Sequence, residues 1–111
     1  MDAQTAPDIS AGDIRSKKRI GKLDGSDVWH LETTGGYHLV VKSTGQSVQT
    51  LGCGPHRAVA RYTAEKHFPS LQINELAKSD LGQLSREEMR AALPDARAVL
   101  SAIWQREDAR K

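Results

Sequence analysis

The segment GCGPHR, residues 52–57, combines residue types that could form a reactive or ligand-binding turn. It contains the only cysteine of the chain, and a histidine follows three residues later. A helix start lowers the pKa of a thiol, and an imidazole can act as its base, so Cys53 and His56 suggest a nucleophile. No third residue in the sequence is placed to orient this histidine. We therefore predict no catalytic residues and no enzyme activity.

The same segment also has the features of an anion-binding turn. Glycines allow the backbone to approach a phosphate closely, and the N–H groups at a helix start point towards it. Arg57 and Arg61, one helical turn apart, would add positive charge. In a third interpretation the glycines only turn the chain and the arginines are solvated, which is common on helix surfaces. The residues alone leave these two interpretations open.

Histidines invite a metal-binding interpretation as well. His30 and His38 fall on one face of a predicted hairpin, with Glu32 opposite His38. No spacing such as H-x-x-x-H or C-x-x-C accompanies them, and a cross-strand Glu–His pair in solvent explains the pattern. We predict no metal site and no cofactor.

Composition predicts one small domain in a reducing compartment. The chain has 111 residues, is 38% hydrophobic and contains one cysteine, so an internal disulfide is excluded. The acidic start of the chain lacks the apolar core of a signal peptide, and no apolar run is long enough to cross a membrane. We expect a cytoplasmic protein. Residues 15–67 hold nine basic and four acidic residues, and this basic segment suggests an anionic partner.

Short alternating runs separated by turn signals predict an antiparallel meander over about residues 18–52. A loop over residues 34–36, with a glycine in the left-handed conformation, would pair Leu31 with Leu39 and Trp29 with Val41. A two-residue turn at residues 44–45 would then pair Val41 with Val48. This register buries one face of the sheet and leaves the other face, which carries both hairpin histidines, open to water or a partner.

Helical periodicity follows the predicted sheet. A first helix is expected over about residues 55–67, with Pro55 at its first position. A capping box, Ser85 with Glu88, begins a second helix over about residues 85–93. Pro94 would end this helix, and a third would run over about residues 95–107 with an apolar stripe. We predict an α+β fold, a three- to four-stranded antiparallel meander packed on one face by a helix, over residues 15–111, preceded by a disordered tail at residues 1–14.

Residues 28–66 resemble part of the double-stranded RNA-binding domain. Gly52 and Gly54 match the G-x-G that ends the last strand of that family. Arg57 and Arg61 match the first and third basic positions of its K-K-x-A-K helix start, with Ala58 in place of the second. The segment GGYH, residues 35–38, is similar to its G-P-x-H loop. Unlike the family, this chain shows no helix before its first strand and has two additional C-terminal helices.

The resemblance implies a non-catalytic module that binds duplex RNA, or another nucleic acid, by shape and phosphate contacts. We expect contacts from the hairpin loop, from the turn and helix start, and from a basic arm before the sheet. The candidate residues are Gly35, Gly36, His38, Gly54, His56, Arg57, Arg61, Lys17, Lys18 and Arg19. The alternative is a protein-interaction domain that binds a partner through the apolar stripe of the last helix.

Overall fold

The computed structural model describes residues 14–44, 47–74 and 84–109. Within these ranges, five antiparallel strands form one sheet in the order β4-β3-β2-β1-β5, accompanied by two helices. The elements are β1 Ile14–Leu23, β2 Ser26–Thr33, β3 His38–Ser43, β4 Val48–Gly54, α1 Arg57–His67, β5 Gln72–Ile73 and α2 Arg86–Ala109. The predicted α+β class is confirmed. The predicted disordered tail lies outside the described residues except for Ile14, which begins β1.

Helices cover both faces of the sheet, whereas the sequence predicted that only one face is covered. Alternate residues of each strand point to opposite faces, and each face supplies one apolar cluster. The first cluster includes Val28, Val40 and Ala64 of α1. The second includes Leu39 and Leu100 of α2. The two helices therefore lie on opposite faces, and the face that was predicted to be open is partly buried under α1.

The predicted β2–β3 register is confirmed, because Leu31 pairs with Leu39 and Trp29 with Val41. Gly36 adopts the left-handed conformation that this hairpin requires, with φ of 84°. The predicted β3–β4 register is wrong, since Val41 pairs with Thr50 and not with Val48. A bulge follows this pair. The predicted two-residue turn at residues 44–45 lies partly outside the described residues.

Helix α1 begins at Arg57, two residues after the predicted first position at Pro55. His56 is the N-cap: its backbone is extended, and its Nδ1 accepts a hydrogen bond from the Ala58 N–H at 3.0 Å. The His56 carbonyl accepts from the Ala60 N–H at 3.0 Å. The side chain thus satisfies one of the backbone donors that would otherwise lack a partner at the helix start.

Helix α2 is one continuous helix, so the predicted break at Pro94 is wrong. The predicted capping box is present, with reciprocal Ser85–Glu88 hydrogen bonds of 3.1 Å. A proline inside a helix removes one hydrogen bond and costs about 3 kcal/mol. The helix continues past Pro94 because the half that follows it is fixed against the sheet through Leu100 and Ile103, which are buried.

Side chains of α2 cover the outer edge of β4 at Thr50. The Glu107 carboxylate accepts hydrogen bonds from the Thr50 N–H at 3.0 Å and from its hydroxyl at 2.8 Å. The Trp104 indole N–H donates to the Thr50 carbonyl at 2.7 Å. These two side chains occupy the backbone groups through which another strand would pair. The apolar stripe of α2, the basis of the predicted protein interface, is therefore used within the domain. Neither described helix has the length and apolar character needed to span a membrane.

Candidate anion-binding site

A small pocket opens between α1 and the β1–β2 end of the sheet. Its volume is about 60 Å³. Residues from two strands and one helix line it: Ser16, Lys18, His30, Glu32, Arg57 and Arg61. Three of the six carry positive charge and one carries negative charge. Antiparallel pairing places Lys18 directly opposite His30, which brings the β1 cation to the helix start.

Arg61 and His30 of the pocket wall continue into a buried hydrogen-bonded chain that ends at His38. Their exposed fractions are 2%, 6% and 8%. The Arg61 Nε–H donates to His30 Nδ1 at 3.4 Å, and His30 Nε2 lies 3.0 Å from His38 Nδ1. A guanidinium can only donate, so His30 Nδ1 accepts and its proton is on Nε2. His38 Nδ1 then accepts, which assigns its proton to Nε2 as well.

This arrangement needs both imidazoles in the neutral form. Burial lowers the pKa of His38 below 6.5, Glu32 opposes this shift, and the nearby Arg57 adds to it. Further lowering comes from His56 and Arg61. A proton added to His38 Nδ1 would face the proton on His30 Nε2, so protonation breaks the chain. His38 thus resists the gain of charge near neutral pH.

We expect the free energy of unfolding to fall on acidification because of His38. The unfolded chain takes up this proton at a pKa near 6.5, while the folded protein takes it up at lower pH. The contribution of His38 is therefore complete above pH 6.5 and is lost as pH falls from there towards the folded-state pKa. Urea unfolding at about pH 7.5 and about pH 5.5 measures this loss.

The matched variant for this prediction is His38→Gln. A glutamine oxygen can accept from His30 Nε2–H but does not titrate. The variant should be less sensitive to acid than the wild type over the same interval. An equal loss of stability in both proteins would contradict the assignment of the effect to His38.

The rim of the pocket has an excess of positive charge. Glu32, its only acidic residue, forms an ion pair with Arg15 at 3.6 Å. The first turn of α1 begins with Arg57 and contains no acidic residue, although acids stabilise that end of a helix. Helix α2 follows the usual rule, with Glu87 and Glu88 in its first turn. The start of α1 therefore carries positive charge where a negative charge would stabilise the helix.

Comparison with protein-family models, curated proteins and solved structures gives no match for this chain.

The site must therefore be interpreted from its own chemistry. Within the described ranges, no three residues of the types His, Cys, Asp and Glu are grouped to hold a metal ion. Glu32 and His38 are the cross-strand pair that the sequence predicted. His38 itself is buried under α1, however, and does not face solvent from the hairpin loop as expected.

The glycines of the GCGPHR segment do not form a phosphate cradle. An added Cβ on Gly52 would lie 2.5 Å from the Ala60 carbonyl oxygen, and one on Gly54 would lie 2.6 Å from the Val59 side chain. Both glycines let α1 pack closely on β4, and Gly54, which we predicted as a ligand contact, has this structural role. His56 likewise caps the helix through its Nδ1.

The remaining predicted contacts are divided between two regions. Lys17, on the opposite face, lies over the Trp29 ring at 5.3 Å. Arg19 pairs with Asp27 at 3.2 Å on the surface. Gly35 and Gly36 are exposed at the tip of the β2–β3 hairpin. Of the ten predicted residues, only three line the pocket: Lys18, Arg57 and Arg61.

Cys53 is not a reactive thiol. It is fully buried, and its Sγ donates to the Ala96 carbonyl at 3.3 Å. Burial raises the pKa of the thiol to about 11, against the smaller lowering effect of the Tyr37 hydroxyl. At neutral pH it is protonated and packed between β4 and α2, which agrees with a structural role.

Three lining residues were missed by sequence reasoning: Ser16, His30 and Glu32. The alternation of side chains along β2 could have identified two of them, because it places His30 and Glu32 on the same face of the sheet. We predicted that this face is open to solvent or a partner, whereas α1 partly covers it. Ser16 was missed because β1 begins at Ile14, four residues before the predicted sheet.

Proposed function

We propose that this protein is a small non-catalytic nucleic-acid-binding module that holds duplex RNA by its phosphate backbone. The observation that carries the proposal is the convergence of Lys18, Arg57 and Arg61 on one pocket. The ion pair of Glu32 with Arg15 reduces the only opposing charge. Cations placed in this way recognise phosphate oxygens.

The edge of the sheet extends the basic surface beyond the pocket. Among the described residues, β5 pairs only with Gly21 and Lys22 of β1. The first half of β1, residues 15–19, carries four exposed basic side chains, of which Arg15 and Arg19 also form surface ion pairs. Surface ion pairs of this kind are weak, so the segment adds positive charge that attracts a nucleic-acid backbone.

The exposed side chains favour a duplex over a single strand. Proteins that bind single strands stack bases on exposed aromatic rings. In the part of the chain that the structure describes, Tyr62 is the one exposed Phe, Tyr or Trp, at 38%, and Lys66 lies over its ring at 5.7 Å. Recognition would then depend on contacts with phosphates and 2′-hydroxyls, which duplex RNA presents on its surface.

The state of the single cysteine supports a proposal for the cellular compartment. The single cysteine is buried as a free thiol, which suits a reducing environment. Cellular RNA duplexes occur in such an environment, and we place the protein in the cytoplasm.

Fluorescence anisotropy tests the proposed ligand. Labelled duplex RNA, duplex DNA and single-stranded RNA of one sequence are titrated at about 50 mM and about 200 mM salt. We expect the tightest binding to duplex RNA, with affinity falling at least about tenfold between the two salt concentrations. Absence of binding to all three at the lower salt would exclude the proposed function.

A further inference from the structure

The shape of the pocket restricts what part of a nucleic acid can enter it. A volume of about 60 Å³ holds only a few water molecules or a group of similar size, such as one phosphate. Its most buried lining residues are Arg61 and His30, with exposed fractions of 2% and 6%. Lys18 is exposed and Arg57 half-buried, so these two form the entrance. A ligand group that reaches Arg61 must be narrow enough to pass between Lys18 and Arg57. It must also be the end of its chain, because the pocket is too small to hold more.

An internal phosphodiester does not meet this requirement well. It carries a sugar on both sides, a single negative charge and two terminal oxygens. A phosphate monoester has one substituent, three terminal oxygens and a charge of about −1.5 to −2 near neutral pH. The monoester can therefore enter with its oxygens first, while the chain to which it is attached remains outside.

The charges of the pocket match the monoester better. Lys18, Arg57 and Arg61 supply three positive charges, and Glu32 supplies the one negative charge. A group with two negative charges is attracted to these cations more strongly than the single charge of a diester. Arginine suits this role because its planar guanidinium matches the geometry of two phosphate oxygens.

We propose that this pocket binds the terminal phosphate monoester of a nucleic-acid strand, so that the protein recognises phosphorylated ends of duplex RNA. This inference rests on the proposed function and adds the position on the duplex at which the protein binds. The basic strand β1 would contact the backbone that leads away from the bound end.

The test compares blunt RNA duplexes of one sequence that differ only at their ends: 5′-phosphate, 3′-phosphate or hydroxyl. Each competes with an internally labelled duplex, read by anisotropy at about pH 7.5, where the monoester is a dianion. We expect one of the two phosphorylated duplexes to bind at least about tenfold more tightly than the hydroxyl-ended duplex, a difference of about 1.4 kcal/mol. The arm that shows the gain identifies which end is recognised.

Two variants locate the effect. Arg57→Ala should bring the phosphorylated and hydroxyl-ended duplexes to equal affinity, whereas Arg97→Ala, exposed on α2, should leave the difference intact. Equal binding of all three duplexes by the wild type would overturn this inference and leave duplex binding itself in place. Failure to bind any of them would overturn the proposed function as well. A preference that survives in Arg57→Ala would contradict the assignment to this pocket.

Discussion

Gly52→Ala should lower the free energy of unfolding by about 3 kcal/mol or more. The added Cβ would lie 2.5 Å from both the Ala60 carbonyl oxygen and the Ala64 amide nitrogen, and 2.7 Å from the Ala64 Cβ. Two of these atoms belong to the helix backbone and cannot rotate away. Helix α1 would have to move off β4, which opens the first apolar cluster and displaces Arg61.

Urea unfolding followed by circular dichroism measures this loss, with Gly35→Ala as the matched control. A Cβ on Gly35 has only the Thr33 hydroxyl near it, at 3.9 Å, and its backbone is not left-handed. The control should change stability by less than about 0.5 kcal/mol. If Gly52→Ala were as stable as Gly35→Ala, the close contact of α1 with β4 would be wrong.

Lys18→Ala/Arg57→Ala should weaken duplex RNA binding about a hundredfold, since each lost phosphate contact costs about tenfold. The slope of log affinity against log salt should fall by about two. The variant should remain folded, because Lys18 is exposed and a cation is unfavourable at the start of α1. Arg61→Ala is a poorer test, because the buried guanidinium also holds the histidine pair.

The matched control for the charge change is Arg90→Ala/Arg97→Ala, which removes two exposed arginines from α2. Its affinity should stay within about threefold of the wild type if binding depends on position, and not only on net charge. Equal weakening by the two double variants would contradict a localised site. Thermal unfolding of both proteins confirms that any loss of binding is not a loss of fold.

The parts of the fold that local chemistry determines could be predicted from the sequence. Alternation and a glycine in the left-handed conformation determine the β2–β3 hairpin, and its register was correct at Leu31 and Trp29. The reciprocal hydrogen bonds of Ser85 and Glu88 follow equally from their spacing. Each of these features involves residues close together in the chain.

The features that were missed depend on long-range packing. The β3–β4 bulge lies beside Gly52, where α1 packs closely, and the continuity of α2 through Pro94 depends on its contacts with the sheet. Arg61 was expected to face a ligand at the surface, yet it is buried with Ala60 and Ala64 on the broad face that α1 packs against the sheet. No local pattern distinguishes a buried arginine from a solvated one. As a result the sequence pointed to the helix start but did not show which side chains line the pocket there.

The most direct test of the site is a nuclear magnetic resonance titration of the ¹⁵N-labelled protein with duplex RNA. If a phosphate of the RNA enters the pocket, the ring signals of His30 should shift in proportion to bound RNA. The amide signals of Ser16, Lys18 and Arg57 should shift in the same way. The amides of α2 on the opposite face, such as that of Val99, should not shift. Shifts confined to α2, or no shifts at concentrations where anisotropy shows binding, would contradict the placement of the phosphate in the pocket between α1 and β1.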